Sequence, residues 1–299
     1  MIIGERPTCT LIASSAETSR NPFFHMGCAY LQDRDELYLT SDLLEAASSS
    51  RLPTVLISKL TLTRHHNDQP AGGENYVDWV EWMKLRPPPE IPMPSGAIPY
   101  ERGVLYCAQG TLVQRGGLFY MPLGKPPVPL VTSYFGTPFN SIQNVAADSD
   151  GNLWFTDSTE GAQRGIRPEP KLPNHVYCFH PKTNELRVVA DGFMKPTGIA
   201  TNGKVFYVSD TGTSRGGSFT GPTSAATIYA FDIEKRFQEP PFLTHKRVFA
   251  FALSGKPAAL TLDGAGNVYA ACGDGVEVWN SKGVLLGLLQ VEGESNALS

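Results

Sequence analysis

The sequence predicts an all-β protein, a six-bladed β-propeller forming one domain over residues 1–299. Three observations carry this reading. A hairpin pattern recurs along the chain, strand-forming residues alternate with Gly, Pro, Asn and Asp throughout, and helical apolar periodicity is confined to residues 42–50.

The repeat is an apolar run, a short turn rich in Asp, Gly and Asn, and a second apolar run ending on a small or acidic residue. It spans 27–42, 144–157 and 198–210, with a weaker copy at 259–271. Each copy supplies the inner hairpin of a blade, because strands joined by an Asp-Gly or Asn-Gly turn pair with one another. Blade starts fall near His25, Ser95, Gln143, Thr197 and Ala258, and a last partial repeat covers 295–299. Outer strands are expected at 55–63, 78–85, 117–121, 175–179 and 227–231. Two long loops, 64–76 and 159–172, interrupt the pattern and could cap one end of the ring. The run Asp148-Ser149-Asp150-Gly151-Asn152 lacks the spaced ligands and final Glu of a calcium loop, so it reads as a hairpin turn. The sixth blade is short of strands, with an inner one at the C-terminus, an outer one at 7–13 and no middle pair. Either the N-terminal strand closes the ring, or an edge stays open that a second copy of the chain would cover as a homodimer.

A net charge of −4 over 299 residues gives no electrostatic case for binding nucleic acid or an anionic membrane. The expected partner is a small molecule. The N-terminus, Met1-Ile2-Ile3-Gly4-Glu5-Arg6-Pro7, has no basic start followed by an apolar core, and no later run approaches the roughly eighteen apolar residues of a membrane span. A soluble, cytoplasmic protein is expected. The five cysteines lie far apart with no Cys-x-x-Cys pair, which suits reduced thiols packed in strands.

From Asn21 almost to the end the wording resembles the SMP-30/gluconolactonase/luciferin-regenerating family of six-bladed propellers, in particular its fungal lactonase-like branch. The matching motifs include Ile91-Pro92-Met93-Pro94, Cys107-Ala108-Gln109-Gly110, Phe139-Asn140-Ser141, Leu153-Trp154-Phe155-Thr156-Asp157, Arg167-Pro168, Leu172-Pro173-Asn174 and Val189-Ala190-Asp191-Gly192-Phe193. The resemblance implies a divalent cation on the axis, held by a Glu, two Asn and an Asp, which polarises a lactone carbonyl and activates water. Carried onto this chain, the Glu falls on Met26, the first Asn on Gln143, the second Asn on Thr197 and the Asp on Ala258. Hard cations need several oxygen ligands with carboxylates among them, and neither carboxylate is kept. No metal and no cofactor is therefore expected, the alternative being a displaced ion on Asn140, Asn144, Asp157 or Asp210.

Because strand starts line the mouth of a propeller, Met26, Gln143, Thr197 and Ala258 are expected to converge on a partly apolar pocket with a few neutral hydrogen-bonding groups. Such a pocket suits the propeller-fold hetero-Diels–Alderases of tropolone sesquiterpenoid biosynthesis, which resemble the fungal lactonases and join a tropolone quinone methide to a humulene-type sesquiterpene. That cycloaddition needs the partners held face to face and hydrogen bonds to the oxadiene carbonyl. The candidate donors are Gln143, Asn140, Asn144 and Thr197, with His25 as an acid for loss of water and Arg51 as a partner for a tropolonate oxygen. Met26, Ala258, Tyr100, Ile142, Asp157 and Asp210 are the expected substrate-lining residues; Asp157 and Asp210 also read as turn-fixing carboxylates. Two rival readings remain, a metal-dependent lactonase or ester hydrolase and a propeller that only binds its ligand.

Overall fold

The computed structural model describes residues 11–14, 23–44, 53–65, 76–212, 226–237, 239–273 and 275–290. Five four-stranded antiparallel sheets make up almost all of it. Blade 1 holds β1 (Met26–Leu31), β2 (Glu36–Thr40), β3 (Ile57–His65) and β4 (Tyr76–Leu85). Blade 2 holds β5 (Pro94–Tyr100), β6 (Gly103–Ala108), β7 (Gly117–Pro122) and β8 (Val128–Val131), and is followed by the small hairpin β9 (Ser133–Tyr134) and β10 (Thr137–Pro138). Blade 3 holds β11 (Ile142–Ala147), β12 (Leu153–Asp157), β13 (His175–His180) and β14 (Glu185–Ala190), with the helix α1 (Glu160–Gln163) between its second and third strands. Blade 4 holds β15 (Pro196–Thr201), β16 (Val205–Asp210), β17 (Thr227–Glu234) and β18 (Phe242–Phe251). Blade 5 holds β19 (Ala259–Leu262), β20 (Val268–Cys272), β21 (Gly275–Trp279) and β22 (Leu285–Gln290). In every blade the strands pair in chain order.

Local chemistry explains the hairpins. In the β11–β12 turn Asp148 Oδ1 accepts the backbone N–H groups of Asp150 (2.9 Å) and Asn152 (3.0 Å), while Oδ2 accepts the Asn152 amide (2.9 Å) and the Trp154 indole N–H (3.0 Å). Asp263 repeats the arrangement between β19 and β20, with Ala265 (2.9 Å), Asn267 (2.9 Å), the Asn267 amide (2.7 Å) and the Tyr269 hydroxyl (3.2 Å). A carboxylate that satisfies several donors within a few residues specifies the turn before any long-range contact forms.

The inner strands β1, β5, β11, β15 and β19 pack side by side around an axis. Four of them begin with a break in register: between Met26 and Cys28, Pro94 and Ala97, Ile142 and Val145, and Pro196 and Ile199. Such bulges re-aim the residues at the strand start. Two glycines let adjacent strands meet there: a Cβ on Gly27 (φ +40°) would stand 2.3 Å from the Ser95 carbonyl oxygen, and one on Gly96 would stand 2.5 Å from that of Gln143. Hydroxyls then bridge the blades. Thr40 Oγ1 donates to the Ser95 carbonyl (2.7 Å), Ser95 Oγ to those of Ile142 (3.0 Å) and Gln143 (3.1 Å), and Thr156 Oγ1 to that of Thr197 (2.8 Å).

Between successive blades lie four apolar cores, built around Ile57, Ile91 and Tyr106, then Phe139, Phe155 and Tyr177, then Trp154, Phe206 and Phe231, and last Tyr207, Ile228 and Trp279. Among the described residues no such core joins blade 5 back to blade 1. Among the described residues the expectation of six blades is thus corrected to five. Four copies of the hairpin repeat and the strand start near Ser95 accounted for five blades, whereas the sixth rested on short terminal segments. Residues 295–299 and 7–10 lie outside the described part, and residues 11–14 are not in a strand. Of the expected helical stripe, residues 42–44 are not helical, and Leu44 pairs as a β-bridge with Thr54, both N–H groups donating across it (2.8 and 2.9 Å); residues 45–50 lie outside the described part. No helix among the described residues is long and apolar enough to cross a membrane.

Asp157 and Asp210 fix the chain where it enters the inner strands. Asp157 accepts the N–H groups of Asn140 (2.9 Å) and Ser141 (2.6 Å), and Asp210 those of Met194 (2.9 Å), Lys195 (2.8 Å) and Gly212 (3.1 Å). Full burial pushes the Asp157 carboxyl up to about 7, against the opposing pull of those two N–H donors and of Arg167. The folded state therefore keeps a proton that the unfolded chain releases near pH 4. The contribution of Asp157 to stability is whole below about pH 4, is lost as pH rises to about 7, and is level above that. Thermal unfolding from pH 4 to 8 is expected to show this fall, and Asp157→Asn is expected to remove it. Gly27→Ala should lower stability by about 2 kcal/mol or more in denaturant unfolding, whereas Gly264→Ala, where a Cβ meets nothing within 4 Å, should change it by less than about 0.5 kcal/mol.

Candidate functional site

The strand starts converge as the repeat requires. Met26, Ser95, Gln143, Thr197 and Ala258 line one cavity of about 620 Å³ at the N-terminal ends of the inner strands. Its floor is held rigid by hydrogen bonds. The Gln143 amide donates to the Ser141 carbonyl (3.2 Å) and hydroxyl (2.8 Å), and that hydroxyl donates in turn to the Gln109 amide oxygen (3.3 Å). Thr197 Oγ1 lies 2.7 Å from Thr211 Oγ1 and donates to the Lys195 carbonyl (3.2 Å). Ser95, Gln143 and Thr197 are buried, so these bonds fix which groups face the cavity.

The rim is charged. His25, Asp42, Glu160, Arg164, Lys195 and Lys256 all line the cavity. Arg164 Nη2 lies 2.6 Å from Asp42 Oδ1 and Lys195 Nζ 2.8 Å from Glu160 Oε2, while His25 Nδ1 stands 4.0 Å from Asp42 Oδ1. Burial raises the Asp42 carboxyl, but the hydrogen bond from Arg164, the nearby His25 and the Leu43 N–H outweigh it and hold the group below the ordinary carboxylate range. The segment carrying α1 leaves blade 3 and is paired to blade 1 through Arg164 and to blade 4 through Glu160, so it spans the mouth. Its far end is clamped by buried Arg167, which donates to the carbonyls of Asn140 (2.8 Å), Phe139 (2.8 Å), Thr111 (2.6 Å) and Gln114 (2.9 Å). The partly apolar, neutral pocket expected from the strand starts is corrected by this rim, because loop residues add charge that the strand starts lack.

Of the expected site residues, Gln143, Thr197, His25, Met26 and Ala258 are brought together here. Asn140 is not: its amide donates to the Leu172 carbonyl (2.7 Å) and its oxygen accepts the N–H groups of Lys171 (3.2 Å) and Leu172 (3.3 Å), which fastens the long loop. Asn144 lies below, in a second axial cavity, with its oxygen on the Val145 N–H (2.9 Å). Ile142 is fully buried in the core between blades 2 and 3. Tyr100 ends β5 instead of beginning an inner strand, so it sits at the other end of the blade and packs edge-on against Tyr120 with centroids 5.3 Å apart. Asp157 and Asp210 are occupied by backbone donors, and Arg51 lies outside the described residues.

The axial donors do not fit the divalent cation that the resemblance implies. A thioether, a carboxamide, a hydroxyl and a methyl stand at the four positions, and Arg164, Lys195 and Lys256 line the same cavity. The alternative set of Asn140, Asn144, Asp157 and Asp210 is dispersed among loop, lower cavity and two blade entries, and each side chain is committed to backbone groups.

Sequence reasoning missed Asp42, Glu160, Arg164, Lys195 and Lys256. One signal was available: Lys195-Pro196-Thr197 and Lys256-Pro257-Ala258 place a lysine at the same step before two strand starts. The partners Asp42 and Arg164 are 122 residues apart and follow no repeat.

Residues 69–297 match the family model described as the SMP-30/Gluconolactonase/LRE-like region. The lactonohydrolase oryL of Aspergillus oryzae is 26% identical over 306 residues, covering 94% of this chain, which spans 63% of that relative's length. Among solved structures, a gluconolactonase from Xanthomonas campestris aligns with a TM-score of 0.68 at 21% identity, over 93% of this chain and 80% of that one. The calcium-binding protein regucalcin from Agrobacterium tumefaciens aligns with a TM-score of 0.62 at 14% identity, over 93% and 78%. With the fold, the axial cavity and a family match over most of its length, the chain belongs to the SMP-30/gluconolactonase/LRE-like family.

Proposed function

We propose that the upper axial cavity is the active site of an enzyme that activates the carbonyl oxygen of a small substrate with cationic and amide side chains in place of a divalent metal. One observation carries this reading: the four axial positions hold Met26, Gln143, Thr197 and Ala258, while Arg164, Lys195 and Lys256 line the same cavity. Fixed donors aimed at an oxygen that gains charge lower a barrier without reorganising during the reaction.

The reaction assigned is an intermolecular hetero-Diels–Alder addition of an electron-poor oxadiene, such as a tropolone o-quinone methide, to an alkene such as a humulene-type sesquiterpene. It needs no nucleophile. That agrees with the hydroxyls at the strand starts and beside them: Ser41 donates to the Asp42 carbonyl (2.7 Å), Ser95 to backbone carbonyls, and Thr197 pairs with Thr211. Lys195 or Arg164 would draw electron density from the oxadiene oxygen, and the cavity walls would hold the two partners together, a contribution of several kcal/mol. A second reading, lactone or ester hydrolysis, is favoured by the pair His25 and Asp42, placed to accept a proton from water at the same rim. The match to a lactonohydrolase supports this reading too.

Both readings are tested on chelator-treated protein. With a quinone-methide precursor and humulene, a rate and stereochemistry differing from the uncatalysed mixture is expected, unchanged by added calcium, magnesium, zinc or manganese. Lys195→Gln is expected to lower that rate about tenfold to a hundredfold. Product identical in amount and stereochemistry to the uncatalysed control overturns the cycloaddition. Lactone turnover in the same protein that is lost in His25→Gln would establish hydrolysis instead, and turnover appearing only with added metal would overturn the metal-free reading.

A further inference from the structure

A second cavity of about 330 Å³ continues the axis below the first, lined by later residues of the same inner strands. Its chemistry is different. Among the described residues lining it none is charged, and the side chains are chiefly aliphatic, including Ile98, Val145, Ile199, Leu260 and Leu262. The upper rim carries all the ionisable side chains except the thiol of Cys28, which lines the lower cavity. Among the described residues Met26 alone lines both. It sits on the bulge at the start of β1, with Gly27 next to it and Cys28 beyond. An unbranched thioether side chain rotates readily and fills irregular space, so at this point it acts as an adjustable divider.

We propose that the lower cavity is a second subsite, taking the neutral, mainly hydrocarbon part of the substrate, and that Met26 sets how far a ligand extends from one cavity into the other. This rests on the reading of the upper cavity as the substrate site. A ligand with an oxygen-bearing head finds cations and amides above, where burial of charge is compensated, and aliphatic walls below, where only uncharged groups are buried without penalty. Position along the axis therefore sorts the two ends of the ligand.

The probes are straight-chain carboxylates from butanoate to dodecanoate, measured by calorimetric titration and by the alkylation rate of Cys28 read at its own peptide by mass spectrometry. Affinity is expected to rise by about fourfold per methylene once the chain passes Met26. Dodecanoate, and not butanoate, is expected to slow Cys28 alkylation at least fivefold. Met26→Ala should admit the longer acids more tightly, and Met26→Phe should weaken dodecanoate several-fold more than butanoate. Binding that is independent of chain length, or Cys28 alkylation untouched by saturating dodecanoate, overturns the proposal; both measurements on the wild-type chain stand even where a variant fails to fold. The cycloaddition is scored separately by its product. Loss of that activity with Cys28 still protected upholds the subsite and overturns only the assigned reaction, whereas dodecanol protecting Cys28 with no carboxylate bound upholds the subsite and overturns the cationic head site.

Discussion

The close approach of the inner strands around the axis is the constraint on which the rest of this molecule depends. Gly27 and Gly96 leave no room for a Cβ against the neighbouring carbonyl oxygens, and Thr40, Ser95 and Thr156 convert that proximity into hydrogen bonds from blade to blade. A carbonyl buried between sheets must find a donor, and a short hydroxyl on the adjoining strand supplies one without widening the gap. The same approach aims the residues at each strand start into a common space, so packing and site are a single arrangement.

That space has two chemistries stacked along one axis. Above, cations and carboxylates from loops are paired across the mouth, Arg164 to Asp42 and Lys195 to Glu160, each pair partly exposed. The importance of these pairs is placement: they hold α1 across the opening and keep guanidinium and ammonium groups at the cavity. Below, the walls are uncharged. Met26, at the position where the family resemblance would put a metal-binding carboxylate, is where one environment gives way to the other.

The hairpins were legible because their determinants are local. Asp148 and Asp263 satisfy donors within six residues of themselves, so the turn can be read from a short window, as can the alternation of the strands it joins. The convergence of Met26, Gln143, Thr197 and Ala258 was legible for a related reason: repetition puts equivalent residues at equivalent radii. Asn144 and Tyr100 were misplaced because a shift of one residue at a bulge, or of a whole strand in locating its start, sends a side chain to the other end or face of a blade, and Asn140 because it fastens a loop about thirty residues away. The sixth blade was read from short terminal segments, most of which lie outside the described residues, whereas each of the five blades found there pairs strands close together in the chain.

The sequence by itself determined the repeat, the all-β character and the inner hairpins, all properties of residues near one another or at fixed periods; the replacement of the axial ligands followed from the family resemblance. Only the tertiary structure decided that five four-stranded sheets are present among the described residues, that Arg164 meets Asp42 across 122 positions, and that a charged mouth stands above an uncharged channel. Those outcomes depend on where loops of unequal length return in space, and loop geometry follows from the packing of the blades around the axis, which no local pattern encodes.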